Sequence, residues 1–288
     1  EGIVIQDKDG NQFVWIPVGR VYKDSTRTNY SDIQLGRYTF NTTNGTPTLV
    51  QAAYTEANSR NYDQLIGISE YQGGICYEYT ARANPDGIAL EKGGVNAIAK
   101  DLAGFVESVK ENYGYYLARY EPSYGSGSSV ADYKPLSKVS TSITFSTSIV
   151  GSLWNNVTQL DAAKISRNMY KNDSSIGVES DLVNSYAWDT AIVYIQEMGY
   201  DNYSNRGDGG GNLKNTGTSE DKACNIYDMA SNSYELSTEY SSYMYNSVNY
   251  PCVIRGGQFT NSISCPGFRM GTRAIGDIYS FRVLLYIK

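Results

Sequence analysis

The chain has 288 residues, 24 Lys and Arg against 30 Asp and Glu, a formal net charge of −6, and no histidine. An acidic chain without a Lys/Arg run lacks the phosphate contacts that supply most nucleic-acid affinity, so no nucleic-acid partner is expected. No run of eighteen apolar residues is present, so no helical membrane insertion is expected either, while 41% hydrophobic residues suffice for a sizeable core. The missing histidine removes Ser-His-Asp and Cys-His nucleophilic sites, H-E-x-x-H zinc sites and His-based iron sites. Acid–base work would have to rest on Asp, Glu, Lys, Tyr or Cys.

Along the chain, Lys8-Asp9-Gly10-Asn11 reads as a turn. The apolar, β-branched run Phe13-Val14-Trp15-Ile16-Pro17-Val18 after it reads as a strand ended by Pro17 and Gly19. Residues 41–94 are rich in Asn, Thr, Gly and Tyr with little periodicity, and read as loops and short elements. A helix is expected from Val95, with Ile98, Leu102, Phe105, Val106 and Val109 on one face and Gly114 as its stop. Gly114 to Glu121 reads as a strand closed by Pro122, and Ser123–Ser129 as a surface loop.

Two further helices are expected. Asn156 or Thr158 caps the first, which carries Leu160, Ala163, Ile165 and Met169. Ser180 or Asp181 leads the second, whose apolar side holds Leu182, Tyr186, Ala187, Ala191, Val193 and Ile195, with Gly199 as stop. Trp188 reads as core. Asp201–Thr218 reads as a flexible loop, because the spacing around Asp208-Gly209-Gly210-Gly211 does not match a phosphate-binding loop. Cys76, Cys224, Cys252 and Cys265 have no zinc-ligand spacing; they read as buried free thiols, with a Cys224–Cys252 disulfide as the alternative.

Six stretches, in order, carry a resemblance. Phe13–Gly19, Gly114–Glu121, Trp154–Ala163, Asn225–Leu236, Arg255-Gly256-Gly257 and Ser280-Phe281-Arg282 resemble the successive motifs of the formylglycine-generating-enzyme-like (sulfatase-modifying-factor) branch of the C-type lectin fold. The resemblance implies one α+β domain over 1–288. It would have two main helices, small antiparallel sheets, long loops, paired first and last strands, and an insertion over 41–112. Pairing the terminal strands would shield an exposed edge.

The chain departs from that branch where its chemistry lies. The oxidising copper site of the enzymes uses a cysteine pair after Arg-Gly-Gly; here the corresponding stretch supplies Cys265 alone. The thiol-histidine sulfoxide synthases of the branch need histidines, and there are none. The non-catalytic branch that resembles the chain better is the variable proteins of diversity-generating retroelements. In these, adenine-directed mutagenesis alters codons near the C-terminus and leaves the scaffold unchanged.

That resemblance implies a ligand-binding receptor without enzymatic activity, on a bacterial cell surface or phage virion, recognising a cell-surface protein or glycan. The implied variable region is 224–288. Its expected site residues begin with Ser233, Tyr234, Leu236, Ser242, Tyr243, Tyr245 and Asn246. They continue with Gln258, Phe259, Asn261, Ser262, Ser264, Phe268, Asp277 and Tyr279. Tyr gives large contact area at low entropic cost while Ser and Asn supply adaptable hydrogen bonds. No cofactor is expected, with a structural Ca²⁺ or Mg²⁺ in the Asp/Asn-rich loops left open. Two alternatives stand beside this reading: a remote copper oxidase using Cys252 and Cys265, and a calcium-assisted carbohydrate-binding module.

Overall fold

A computed structural model describes residues 2–55, 61–78, 102–171, 173, 175–207, 211–260, 264–273 and 278–288. The fold is α+β, built around two sheets. The strands of these two sheets are β1 (Val4–Gln6), β2 (Gln12–Pro17), β3 (Ile68–Ser69), β4 (Ile75–Glu78), β5 (Gly114–Ala118) and β6 (Val178–Leu182). Then come β7 (Tyr234–Ser241), β8 (Cys252–Arg255), β9 (Arg269–Thr272), β10 (Tyr279–Phe281) and β11 (Val283–Ile287). Helices α1 (Leu102–Asn112), α2 (Gln159–Asn168) and α3 (Ser185–Glu197) pack around them.

The first sheet runs β1-β2-β5-β11-β6, antiparallel throughout. The first and last strands therefore share a sheet but do not pair: β5 lies between β2 and β11. Each of these two central strands shields the edge of β5, so the edge argument holds with a different partner. Strand alternation sorts the side chains to two faces. Val14, Ile16, Leu117, Leu284 and Tyr286 enter one core with α1 and α3, while Phe13, Ala118, Val283 and Leu285 enter another with α2 and Trp154. The second sheet, β9-β8-β7-β4-β3 with β10 parallel to β7, covers this second core through Tyr234, Leu236, Cys252 and Ile254.

Helix α1 buries Leu102, Phe105, Val106 and Val109, as the spacing predicts; the expected start at Val95 through Ile98 lies outside the described residues. Its stop is Tyr113, at φ +60°, and not Gly114, which opens β5. Gly114 is required there for a different reason, because a Cβ would strike the Trp15 ring. Thr158 caps α2, its side chain accepting from the Asp161 N–H.

The second predicted helix starts late. Residues 178–182, including its expected leaders Ser180 and Asp181, form β6 against β11. Asn184 is the cap, accepting from the Ala187 N–H at 2.9 Å. Asp181 instead takes the Arg167 guanidinium at 2.8 Å. Gly199 at φ +94° follows the helix end.

The expected 123–129 loop also differs, since Ser123–Ser126 pairs with Lys134–Leu136 and Tyr124 packs on Trp154. Within 41–94, Pro47–Ala52 forms a hairpin with the preceding Gly36–Phe40, with a register shift at Arg37/Tyr38. Cys224 and Cys252 belong to the two different cores and are not joined by a disulfide. Trp188 is fully buried, its Nε1–H donating to the Pro266 carbonyl at 2.8 Å.

Candidate functional site

Within the motif stretches, Glu121, Asp228, Glu235, Arg255 and Arg282 are buried and hold the framework together. Arg255 lies in β8 with no exposure. It donates to Phe268 O at 2.8 Å, to Glu239 Oε2 at 2.9 Å and to Asp189 Oδ1 at 2.7 Å. Arg269 from β9 pairs with the same two carboxylates and donates to Tyr38 O, and Arg37 approaches Glu239 at 3.4 Å. Three guanidiniums thus enclose two carboxylates contributed by α3 and β7. Burial alone would raise the Glu239 carboxyl, but Arg269, Arg255 and Arg37 outweigh it and hold it at about 2.

A second buried group lies at the other end of β7. Arg282 pairs with Glu235 and donates to Ala118 O and Tyr227 O, joining β5, β7 and the Asn225–Met229 turn. Asp228 accepts from Thr216, Gly217 and Ser219, and Glu121 from Asn232 and Ser233. Burial and the neighbouring Asp228 and Glu235 charges push the Glu121 carboxyl well above its usual range. Among the described residues, no group of three or more His, Cys, Asp or Glu side chains is placed to hold a metal ion.

Burial corrects several expected site residues. Ser233, Tyr234, Leu236, Gln258, Ser264 and Phe268 are buried, although they were expected on an exposed surface. Tyr234 stacks on Phe268 at 6.1 Å and its hydroxyl shares a hydrogen bond with Ser264 at 2.6 Å. The physical reason is that β7 is the middle strand of its sheet, covered on both faces, so all eight of its residues are buried. Phe259 and Tyr279 are half-buried, and Asn261, Ser262 and Asp277 lie outside the described residues.

The remaining expected residues come together at the surface. Ser242, Tyr243, Tyr245 and Asn246 belong to a hairpin in which Met244–Tyr245 pairs with Val248–Asn249. Met244 and Tyr245 are 58% and 57% exposed, with Val248 exposed beside them. Asn246 and Ser247 both take positive φ, +49° and +61°, as the two-residue turn of a tight hairpin demands. The hairpin base is anchored: Tyr243 and Tyr250 rings lie 5.4 Å apart, and Ser242 exchanges hydrogen bonds with Ile75 in β4. Tyr243 backs onto Gly74, where a Cβ would clash with it, and lies beside Gly271, where a Cβ would strike the Ser241 hydroxyl first.

Next to this hairpin is the Glu70–Gly74 turn, whose Tyr71 is 63% exposed. Tyr71 N–H bonds Arg269 O, and its ring tilts over Phe268 at 5.3 Å. Behind it opens a cleft of about 460 Å³ lined by Thr39, Phe40, Thr42, Ile68, Ser69, Glu70, Tyr71, Asn205, Cys265, Gly267, Phe268 and Arg269. Glu70 is occupied by the Gly74 and Gly271 N–H groups at 2.8 Å each, and Arg269 by its ion pairs. The cleft therefore presents mainly aromatic and small polar groups. Burial pushes the half-buried Cys265 thiol up, with the Gly267 and Phe268 N–H groups pulling the other way, which disfavours the thiolate a metal would need.

The sequence reading missed Phe40, Tyr71 and Asn205, which come from outside 224–288. A signal for the Tyr71 turn was present: Gly73-Gly74 lies between the apolar runs at Ile68 and Ile75. The chain matches no family model, no curated protein and no solved structure.

Proposed function

We propose that this chain is a ligand-binding receptor of the C-type lectin fold, in its formylglycine-generating-enzyme-like branch, and a variable protein of a diversity-generating retroelement. It displays its combining surface on a bacterial cell or phage virion, toward a cell-surface protein or glycan. The surface is the Ser242–Tyr250 hairpin with Tyr71 and the adjoining cleft. One observation carries the reading: exposed Met244 and Tyr245 on the hairpin, and exposed Tyr71 on the turn that meets the hairpin base at Gly74, extend from a sheet tied to α3 by the buried Arg255–Asp189–Glu239–Arg269 group.

A rigid base with a replaceable aromatic rim suits recognition, because large side chains of low entropy bind well when pre-organised. The residues of the Arg-Gly-Gly and Phe-Arg motifs serve packing in this reading, which leaves the hairpin free to vary. The test is an array of bacterial surface proteins and glycans probed with the protein and with Tyr71→Ala/Tyr245→Ala. A ligand retained by the wild type and lost by the double variant supports the proposal. Equal retention by both places the site elsewhere.

A further inference from the structure

A second cleft, of about 480 Å³, shares no lining residue with the first. Its walls come from three segments: the β1–β2 turn (Lys8, Asp9, Asn11), the 125–138 hairpin (Lys134, Lys138) and the end of α2 (Met169, Tyr170, Asp173). These segments are tied rigidly to one another. Asp7 accepts from Asn11 Nδ2 at 2.8 Å and from the Tyr170 hydroxyl at 2.6 Å. Asn11 Oδ1 accepts from Ser137 N–H at 3.0 Å, and Gln12 N–H bonds Ser137 O at 2.9 Å.

Three lysines face this cleft in a chain whose net charge is −6. None of them has a carboxylate within 4.0 Å among the described residues, whereas Lys23, Lys164 and Lys288 each do. Lys138 lies across the turn, its Cε and Nζ 3.3 Å from where a Gly10 Cβ would be, so glycine at that position leaves the ammonium room beside the cleft. Gly10 also takes φ +83°, which the turn requires. The acidic residues on the lining are Asp9, exposed, and Asp173, whose carboxylate holds Ser175 and feels the charges of Lys8 and Lys134 from beyond ion-pair distance. Exposed Val150 completes the rim with an apolar surface.

Ammonium groups beside hydroxyl acceptors and an apolar edge call for a ligand that is anionic, polyhydroxylic and partly apolar at once. We infer that this cleft binds an acidic saccharide, a sugar ring bearing a carboxylate, sulfate or phosphate group. The lysines meet the anionic substituent, Asp9 and Asp173 accept from ring hydroxyls, and Val150 packs against the ring's C–H face. A bare anion would gain from the lysines but be opposed by the two aspartates, while a neutral sugar would gain nothing from the lysine charges. The volume admits one or two sugar rings.

The full chain, isotope-labelled, is titrated with digalacturonate, galactose 6-sulfate and glucose 6-phosphate, with neutral galactobiose and inorganic sulfate as controls, reading backbone amide shifts by NMR. At least one acidic saccharide should shift the amides of residues 8–11, 134–138 and 169–171, binding at least ten-fold more tightly than either control. Which of the three binds best identifies the substituent. The exposed-site variant Lys134→Gln/Lys138→Gln should weaken that binding at least ten-fold, with unchanged thermal midpoint. Tyr71→Ala/Tyr245→Ala should leave it intact, which separates this site from the hairpin surface. Binding of none of the three, equal binding of galactobiose or inorganic sulfate, or binding unaffected by the lysine substitutions overturns the inference.

Discussion

Replacing Arg255 by Met keeps most of the side-chain volume and removes the charge. It deletes three charge-assisted hydrogen bonds, of 2.7–2.9 Å, to Asp189, Glu239 and Phe268 O. Asp189 then keeps Arg269 and the Tyr38 N–H, and Glu239 keeps Arg269 and the more distant Arg37, both carboxylates being fully buried. Removing one partner of a buried ion pair costs about 3–5 kcal/mol, because the remaining charge has lost its water and its counter-ion. The retained guanidiniums place Arg255→Met toward the lower end, about 3 kcal/mol. Urea unfolding followed by far-ultraviolet circular dichroism measures it, and adding Asp189→Asn should recover part of the loss. A loss below about 1 kcal/mol would show that Arg255 does not hold this framework together, and the division between scaffold and binding surface would fail with it.

Tyr245→Ala, on the exposed hairpin, should change unfolding free energy by no more than about 0.5 kcal/mol; a larger loss would make the tyrosine structural. Ser247→Gly should stabilise by about 0.5–1 kcal/mol, since glycine takes the φ of +61° without the steric cost to an L side chain; a lower urea midpoint would refute this. For pH, Glu239 is held at about 2, below its usual value of 4.5, so its contribution is present above pH 4.5 and is lost as pH falls toward 2. Glu78 runs the other way. Burial, then the Glu239 charge, push it up to about 7, so its contribution is full below pH 4.5 and is lost as pH rises through about 7. Glu78→Gln should therefore flatten the fall in stability between pH 5 and 7.5, and an unchanged slope would contradict the assignment.

How far the fold could be read from sequence depended on where each element sits. The apolar faces of α1 and of β2 were legible because each buries one side, and burial imposes a period. The end of β6, Ser180–Leu182, was read as the start of the helix because it leads almost directly into α3, and only its pairing with β11 distinguishes the two. The first and last strands were legible as strands, while the insertion of β5 between them is a topological fact that local patterns do not carry.

The expected site split along the same line. Tyr234 and Leu236 have the composition of a combining site but sit in the middle strand of a sheet, whereas Tyr243, Tyr245 and Asn246 sit on a protruding hairpin. Tyr, Ser and Asn are used both as core and as surface here, so residue type alone could not separate them. A turn at Gly73-Gly74 was legible, but neither Tyr71 nor Phe40 could be assigned to the site, because they reach it from 150 or more residues upstream, through pairing of β4 with β7 and the contact of the Tyr71 turn with β9.

Deep sequencing of the encoding locus in a growing population tests the central claim most directly. A nearby imperfect repeat with a reverse transcriptase gene is expected, with adenine-directed substitutions concentrated in the codons of Ser242–Tyr250. The codons of Asp189, Glu239, Arg255, Arg269 and Arg282 should stay unchanged. A locus without repeat or reverse transcriptase, or substitutions falling equally on the buried arginines and the hairpin, would contradict it.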